Sequence, residues 1–202
     1  MEPKWISNIV LEEKPSNKEK LRLTVDMRHA NMAIKPTHFP VPTIQELRHK
    51  LNGATRFCKI DLTEAFHQME LGEKSRELTT FYTPEGLYRF KRLVQGAGPA
   101  SQEFHEKFRL CLQGLQGVIQ LHDDVLVHDN GKGEDELLKN LRCFFERLMS
   151  KDVTLIKLKC QFNLEEVSFF GFVFNKFGMK PDPRKVEAIH TKSTPSSIAE
   201  VK

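Results

Sequence analysis

The sequence predicts an α+β fold. Several short runs rich in β-branched and aromatic residues are separated by turn residues, which is typical of β-hairpins. Two longer segments instead repeat apolar residues at helical spacing. The two patterns mix along the chain without strict alternation, and no segment repeats. This mixture favours an α+β arrangement.

The first third of the chain is expected to form a hairpin, a helix and a strand. Residues 7–28 contain two apolar-rich runs on either side of a polar turn at residues 15–18. Residues 43–51 predict a short helix that Gly53 closes. The segment "TRFCKID" then predicts a strand with Phe57 and Ile60 in the core.

The middle of the chain is expected to add a second hairpin and two helices. In "LTTFYTPEGLYRFKRL", Pro84 and Gly86 suit the second and fourth positions of a type I turn. One helix should begin at Gly98-Pro99, since proline is favoured in the first helical turn, and another should cover residues 134–149. The expected apolar faces are Phe104, Phe108, Leu112 and Leu115 in the first helix, and Leu137, Leu138, Leu141, Phe144, Phe145 and Leu148 in the second.

The last quarter is expected to hold two strands and a helix. The strands correspond to "TLIKLKCQF" and "VSFFGFVFNKFG", at residues 154–162 and 167–178. Asp182 is a suitable N-cap for a helix in "DPRKVEAIH". Residues 191–202 are polar and are expected to fray.

Composition restricts the class of protein. The 202 residues suffice for one or two domains with a hydrophobic core. A net charge of +4 permits a nucleic-acid partner without requiring one. No apolar run is long enough to span a membrane, so no membrane partner is expected. The four cysteines form no CxxC pair, which favours reduced thiols in an intracellular protein.

Two adjacent aspartates, Asp123 and Asp124, interrupt the apolar segment "VIQLHDDVLVH". Neighbouring carboxylates repel each other, so solvent or a cation must offset the repulsion. A solvated turn between two strands is one interpretation. The other is a magnesium site, which needs a further carboxylate because two-metal sites are built from several acidic oxygens. Asp61, at the end of its predicted strand, is the candidate for that third carboxylate.

Several motifs together resemble those of a known family. "KIDLTEAFHQ", "GLYRFKRL", "LHDDVLVH" and "KLKCQFNLEEVSFFGFVF" occur in the order and at the spacing typical of the reverse transcriptases of gypsy-type LTR retrotransposons. The upstream segment "LRLTVDMRHANMAIKPTHFPVPTIQEL" resembles the fingers-to-palm region of those enzymes. The resemblance covers residues 5–189.

The resemblance implies one reverse transcriptase domain over residues 1–202, with the fold of a right-hand polymerase. Residues 1–36 and 69–98 would form the fingers. Residues 37–68 and 99–180 would form the palm, a ferredoxin-like antiparallel sheet packed on helices. Residues 181–202 would be a frayed tail or the start of the next segment, and the thumb would be absent. Thumb, RNase H and integrase regions are expected in a longer parent polyprotein.

The activity that the resemblance implies is RNA-directed DNA polymerisation, in which a dNTP is joined to a primer 3′-hydroxyl on an RNA or DNA template. Asp61, Asp123 and Asp124 match the catalytic aspartates of the family and would bind two Mg²⁺ ions, with Mn²⁺ as an alternative. The backbone carbonyl of Leu62 would be a further metal ligand. Without metal, the uncompensated acidic cluster is expected to destabilise the fold.

The resemblance also implies residues that contact the nucleotide and the nucleic acid. Phe66 matches an aromatic residue that would exclude a ribose 2′-hydroxyl, although a phenylalanine there could equally be an ordinary core residue. The resemblance also implies that the protein acts in the cytoplasm or in a virus-like particle. The other residues implied are Arg22, Lys20 and Gln95 for the nucleotide, and Lys157 and Lys159 for the nucleic acid.

A second function stays open beside polymerisation. Leu121 stands where the family has the tyrosine of its YxDD motif. Because the chain also lacks a recognisable thumb, the alternative is a truncated, non-catalytic remnant that binds nucleic acid with the same fold. The complete set of aspartates favours the enzyme over this remnant.

Overall fold

The structure is a computed structural model that describes residues 5–14, 17–35, 37 and 39–190, without the side chains of residues 14, 17–20, 22 and 188–190. No helix within these ranges is both long and apolar enough to cross a membrane. The strands are β1 (Ile9–Lys14), β2 (Asn17–Val25), β3 (Phe57–Asp61), β4 (Thr80–Thr83), β5 (Gly86–Arg89), β6 (Val118–Leu121), β7 (Asp124–His128), β8 (Gln161–Leu164), β9 (Glu166–Phe169), β10 (Phe172–Asn175) and β11 (Gly178–Pro181).

The described α-helices are fewer than the strands, and the two longest follow residue 99. Thr43 caps the second helix through a capping box, because its hydroxyl accepts from the Glu46 amide while the Glu46 carboxylate accepts from the Thr43 amide. The α-helices are α1 (Arg28–Ala33), α2 (Ile44–Leu51), α3 (Glu73–Arg76), α4 (Ala100–Leu112), α5 (Glu134–Met149) and α6 (Pro183–His190), and 3₁₀ turns occur at Ala65–Gln68, Glu77–Thr79 and Lys157–Lys159.

The largest sheet contains four strands in the order β6-β7-β3-β8, and each neighbouring pair is antiparallel. Along the chain these strands alternate with α4 and α5 as β3-α4-β6-β7-α5-β8. This βαββαβ order with β3 and β7 in the centre is the ferredoxin-like arrangement. The ferredoxin-like sheet predicted from the resemblance is therefore confirmed.

Alternation along β3 divides the core into two layers. Cys58 and Ile60 pack with α4 and α5 on one face of the sheet, whereas Phe57 packs with α2, β9 and β10 on the other. Val125 and Leu126 of β7 divide in the same way. Both central strands are therefore covered on both faces, and the predicted core positions Phe57 and Ile60 are confirmed.

The two hairpins, β1–β2 and β4–β5, lie outside this sheet. The Ser7 amide donates to the carbonyl of Thr80 at 2.9 Å, which ties one hairpin to the other. A small apolar cluster joins the end of β2, α1 and β4 through Val25, Ala30 and Phe81. Both predicted hairpins are therefore confirmed.

The helical predictions are confirmed with two corrections. Helix α5 spans residues 134–149 as expected, but Leu138 is 56% exposed, because it lies about 100° around the helix from the buried Leu137. Helix α4 begins after Pro99 and ends at Leu112, so Leu115 packs against the core from the loop that follows the helix. Asp182 accepts from the Arg184 amide at the start of α6, as an N-cap should.

The strand predictions after residue 150 are partly wrong. Residues 154–160 form a loop with one 3₁₀ turn, and only Gln161 onward is a strand. Residues 167–178 hold two strands instead of one, since Phe170 and Gly171 both have positive φ, 51° and 79°, and turn the chain. Apolar residues flank Phe170 and Gly171, and Lys157 and Lys159 alternate with apolar residues, so each segment has the pattern of a single strand. The frayed tail predicted for residues 191–202 lies outside the described residues.

Candidate active site

Asp61 and Asp124 are register partners across β3 and β7. Asp61 is the last residue of β3 and Asp124 is the first of β7, so both carboxylates lie at one edge of the central strand pair. The preceding pair, Ile60 and Val125, is fully buried. The edge where the aspartates meet is thus fixed by a rigid, buried base.

Asp123 lies beside them in the turn between β6 and β7. Leu121 pairs with Asp124, which leaves a two-residue turn of His122 and Asp123. His122 has a φ of 54°, in the left-handed region that such tight hairpin turns require. The Asp123 side chain is exposed at the tip of the turn. The predicted turn is therefore present at His122 and Asp123, whereas Asp124 belongs to β7.

A cleft of about 680 Å³ opens at this edge of the sheet. Its lining includes Leu21 and Leu23 of β2. The cleft brings together six residues that the resemblance implicates, although they come from four separate stretches of the chain. These six are Asp61, Leu62, Phe66, Gln95, Asp123 and Lys159.

The other residues that the resemblance implicates do not line the cleft, or have side chains outside the described part of the structure. Asp124 and Lys157 do not line the cleft, although Asp124 adjoins it as the partner of Asp61. Arg22 and Lys20 belong to β2, but their side chains lie outside the described part of the structure.

Two lysines neutralise part of the acidic charge. Lys59 Nζ lies 3.8 Å from Asp124 Oδ1, and Lys159 Nζ lies 3.7 Å from Asp61 Oδ1. Partial burial raises the pKa of Asp124, and the Lys59 ammonium opposes that rise. Two of the three aspartates therefore have a cationic partner, contrary to the expectation of an uncompensated cluster.

The donor atoms suit Mg²⁺, but the side chains are not arranged as a finished metal site. Within the described ranges, no three His, Cys, Asp or Glu side chains come close enough together to hold a metal ion. Asp61 and Asp124 are instead paired with Lys159 and Lys59. The carboxylates and the Leu62 carbonyl are nonetheless the hard oxygen ligands that Mg²⁺ prefers.

Phe66 both lines the cleft and packs against the core. Its ring centroid is 5.4 Å from that of Phe104 on α4. Gln68 fixes the loop that holds Phe66, because its amide nitrogen donates to the carbonyls of Thr63 and Thr154 while its oxygen accepts from the Thr154 amide. The contact with Phe104 and the hydrogen bonds of Gln68 therefore restrict the position of the phenyl ring, as a wall of the cleft requires.

Sequence reasoning missed a group of polar side chains beneath the Asp123 turn. His105 of α4 and Gln120 of β6 are both buried and hydrogen-bond to the backbone of His122. Ser101, also on α4, lies 2.9 Å from the His122 ring. The signal was available, because His105 interrupts an apolar helical face and Gln120 interrupts the apolar run "VIQL".

Comparison of the sequence with known proteins gives consistent matches. A family model described as "Reverse transcriptase (RNA-dependent DNA polymerase)" matches residues 12–174. The chain is 33% identical over 183 residues to the retrovirus-related Pol polyprotein from transposon 412 of Drosophila melanogaster, covering 89% of this chain and 15% of that protein. It is 25% identical over 190 residues to the transposon Tf2-3 polyprotein of Schizosaccharomyces pombe, covering 93% of this chain and 14% of that protein.

Solved structures share the fold. A foamy viral protease-reverse transcriptase in complex with double-stranded DNA matches with a TM-score of 0.84 and 20% identity, over 100% of this chain and 35% of the other. The foamy viral protease-reverse transcriptase in complex with an RNA/DNA hybrid matches with a TM-score of 0.79 and 20% identity, over 97% of this chain and 26% of the other. The chain thus spans only a minor part of each protein that it resembles.

Proposed function

Because the chain belongs to the reverse transcriptase (RNA-dependent DNA polymerase) family, we propose that it contains the nucleotidyl-transfer site of an RNA-directed DNA polymerase. The reaction joins a dNTP to a primer 3′-hydroxyl on an RNA or DNA template. Asp61, Asp123 and Asp124 are the catalytic residues of this proposal.

The observation that supports it most strongly is the pairing of Asp61 with Asp124, next to Asp123, at the edge of an open cleft. Asp61 is distant in sequence from Asp123 and Asp124, and two neighbouring strands and a tight turn bring the three residues to one edge of the sheet. Like charges collected on a rigid base lower the stability of a fold unless a ligand or counter-ion offsets them. A divalent cation is the ligand that matches their oxygen atoms.

In the proposed reaction, Asp61, Asp123 and the Leu62 carbonyl would hold two Mg²⁺ ions, with Asp124 as the less direct partner. Bound there, the ions would supply a more acidic primer hydroxyl and a stabilised triphosphate. Lys59 and Lys159 would then have to give up their ion pairs with Asp124 and Asp61. Because no side-chain nucleophile is required, the protein contributes mainly position and electrostatic stabilisation.

The walls of the cleft position the nucleotide in this proposal. Phe66 excludes a ribose 2′-hydroxyl with its ring, and Gln95, which also lines the cleft, contacts the nucleotide. Arg22 and Lys20 bind the triphosphate from β2. Lys157 and Lys159, on one 3₁₀ turn, contact phosphates of the primer or template.

The proposal assigns residues 1–36 and 69–98 to the fingers and residues 37–68 and 99–180 to the palm. The partners are a primer annealed to RNA or DNA, and dNTPs. Since the chain spans 15% of the transposon 412 polyprotein, we place it within a longer polyprotein that works in the cytoplasm or in virus-like particles.

The arrangement of the aspartates also favours a second candidate, a non-catalytic remnant that binds nucleic acid. In the described part of the chain the carboxylates pair with lysines and form no three-residue metal site. A remnant would keep this state permanently, whereas an enzyme would exchange the lysines for metal.

Binding of Mn²⁺, followed by electron paramagnetic resonance, separates the two candidates. If the chain is an enzyme, we expect saturable Mn²⁺ binding. Asp61→Asn should weaken that binding, because it removes one charged ligand. Asp135→Asn is the matched control, since it removes the same charge from an exposed position at the start of α5. Failure of the unaltered chain to bind Mn²⁺, or equal weakening by both variants, would favour the remnant.

A further inference from the structure

The residue that precedes Asp123 is held at three points. The His122 amide donates to His105 Nδ1 at 3.2 Å, and the His122 carbonyl accepts from Gln120 Nε2 at 2.8 Å. The His122 ring nitrogen Nδ1 lies 2.9 Å from the Ser101 hydroxyl. Both backbone polar groups and the side chain of this one turn residue are therefore fixed.

His105 is the central member of this group. Its side chain is only 1% exposed. Because Nδ1 accepts a hydrogen bond, the ring proton must be on Nε2, and this buried nitrogen has no hydrogen-bond partner in the described ranges. Burial lowers the pKa of His105, which favours the neutral ring that can act as an acceptor.

A buried ring with one unsatisfied nitrogen is unfavourable for stability, since an apolar side chain of similar size would avoid it. The feature that offsets this cost is the acceptor offered to the His122 amide. Gln120 strengthens the same connection, because its Nε2 also donates to the His105 carbonyl at 3.1 Å. The polar group thus links α4 directly to the turn.

We propose that His105 is a positioning residue for Asp123 and acts through the backbone of His122. His122 adopts a left-handed conformation, with a φ of 54°, that residues other than glycine adopt at a cost. The hydrogen bond from its amide to His105 holds that conformation. Without this bond the two-residue turn can relax, and Asp123 then moves away from Asp61. The inference rests on the proposed function, since it assumes that Asp123 binds metal.

Two substitutions at the same position test the inference. His105→Leu removes the acceptor of the His122 amide and also removes the unsatisfied Nε2. Because these two effects oppose each other, the free energy of unfolding should change little. His105→Asn places an amide oxygen at the same number of bonds from the backbone as Nδ1, so it should restore the acceptor. Amide hydrogen exchange at His122, measured by NMR, and Mn²⁺ affinity are the two readouts.

For His105→Leu we expect His122 exchange to accelerate and Mn²⁺ binding to weaken, each by roughly tenfold, as the loss of one hydrogen bond would allow. His105→Asn should recover most of both losses. Asn140→Leu is the control, because Asn140 is equally buried and bonds to the His128 carbonyl at the opposite end of β7. It should lower stability without changing either readout at the turn.

The inference is overturned if His105→Leu leaves Mn²⁺ affinity or His122 exchange unchanged, or if Asn140→Leu weakens Mn²⁺ binding as much. Lack of Mn²⁺ binding by the unaltered chain would instead contradict the proposed function. The exchange measurement would still decide in that case whether His105 holds the turn.

Discussion

Lys59 forms an ion pair with Asp124, the strand partner of Asp61, even though Lys59 and Asp61 are on the same strand. The lysine is two residues before Asp61, so its side chain emerges on the same face of β3. A cation is thus built into the strand that carries one of the proposed metal ligands.

Replacement of the carboxylates should abolish polymerisation. Asp61→Asn or Asp123→Asn, in a polypeptide that extends beyond residue 202, should lower primer extension by roughly 10²-fold or more, the loss typical for removal of a key electrostatic stabiliser. Asp135→Asn should keep full activity. Retention of a tenth of the activity by either site variant would reject the assigned role.

Phe66 should control the choice of sugar. Phe66→Val opens space where a 2′-hydroxyl would clash, so the ratio of rNTP to dNTP incorporation should rise about tenfold, which corresponds to roughly 1.4 kcal/mol in the transition state. Because the ring also contacts Phe104, thermal stability should be measured alongside. A loss of stability with an unchanged ratio would make Phe66 a core residue only.

Leu137 and Leu138 provide a matched pair for the core. The two side chains have the same composition and adjacent positions on α5, but Leu137 is 1% exposed and Leu138 is 56% exposed. We expect Leu137→Ala to lower the free energy of unfolding by about 2–5 kcal/mol and Leu138→Ala by less than about 1 kcal/mol. Urea denaturation compares them, and equal losses would contradict the observed orientation of the helix.

Stability should fall in mild acid because of His128. Burial lowers the pKa of this side chain to about 4, against an ordinary value near 6.5. Between these pH values the unfolded chain binds a proton that the folded chain does not. The contribution is therefore complete above pH 6.5 and is lost as the pH falls toward 4, to a total of about 3 kcal/mol.

The measurement for His128 is the free energy of unfolding in urea at several pH values between 4 and 7.5. His128→Phe removes the titrating group, so its stability should vary less over this range, even if it is lower throughout. Parallel curves for the two proteins would show that another group causes the acid sensitivity.

Local signals predicted much of the fold, and the family match and the shared polymerase fold confirm the class expected from the motifs. The short helix predicted at residues 43–51 and the apolar stripe of α5 are examples, because each depends on residues within one or two turns. The predictions failed where apolar residues continued through a change of direction, as at Gly171.

The sequence identified residues of the candidate site but not their arrangement in space. The motifs named Asp61 and Asp124, yet only the packing of the sheet fixes them as register partners. The roles of Lys59 and His105 depend on contacts between separate elements, which periodicity does not reveal. Polar residues inside apolar runs were the one local sign of such contacts.

The lysine partners of Asp61 and Asp124 have a consequence for the order of events in the life of the chain. Proteins whose metal ligands have no other counter-charge must often capture the ion in order to fold. Here the counter-charges are encoded in the sequence, and the strands that carry the aspartates are buried without help from an ion. If the proposed site binds metal, folding would therefore not have to wait for the ion, and the chain should reach its folded state when divalent cations are scarce.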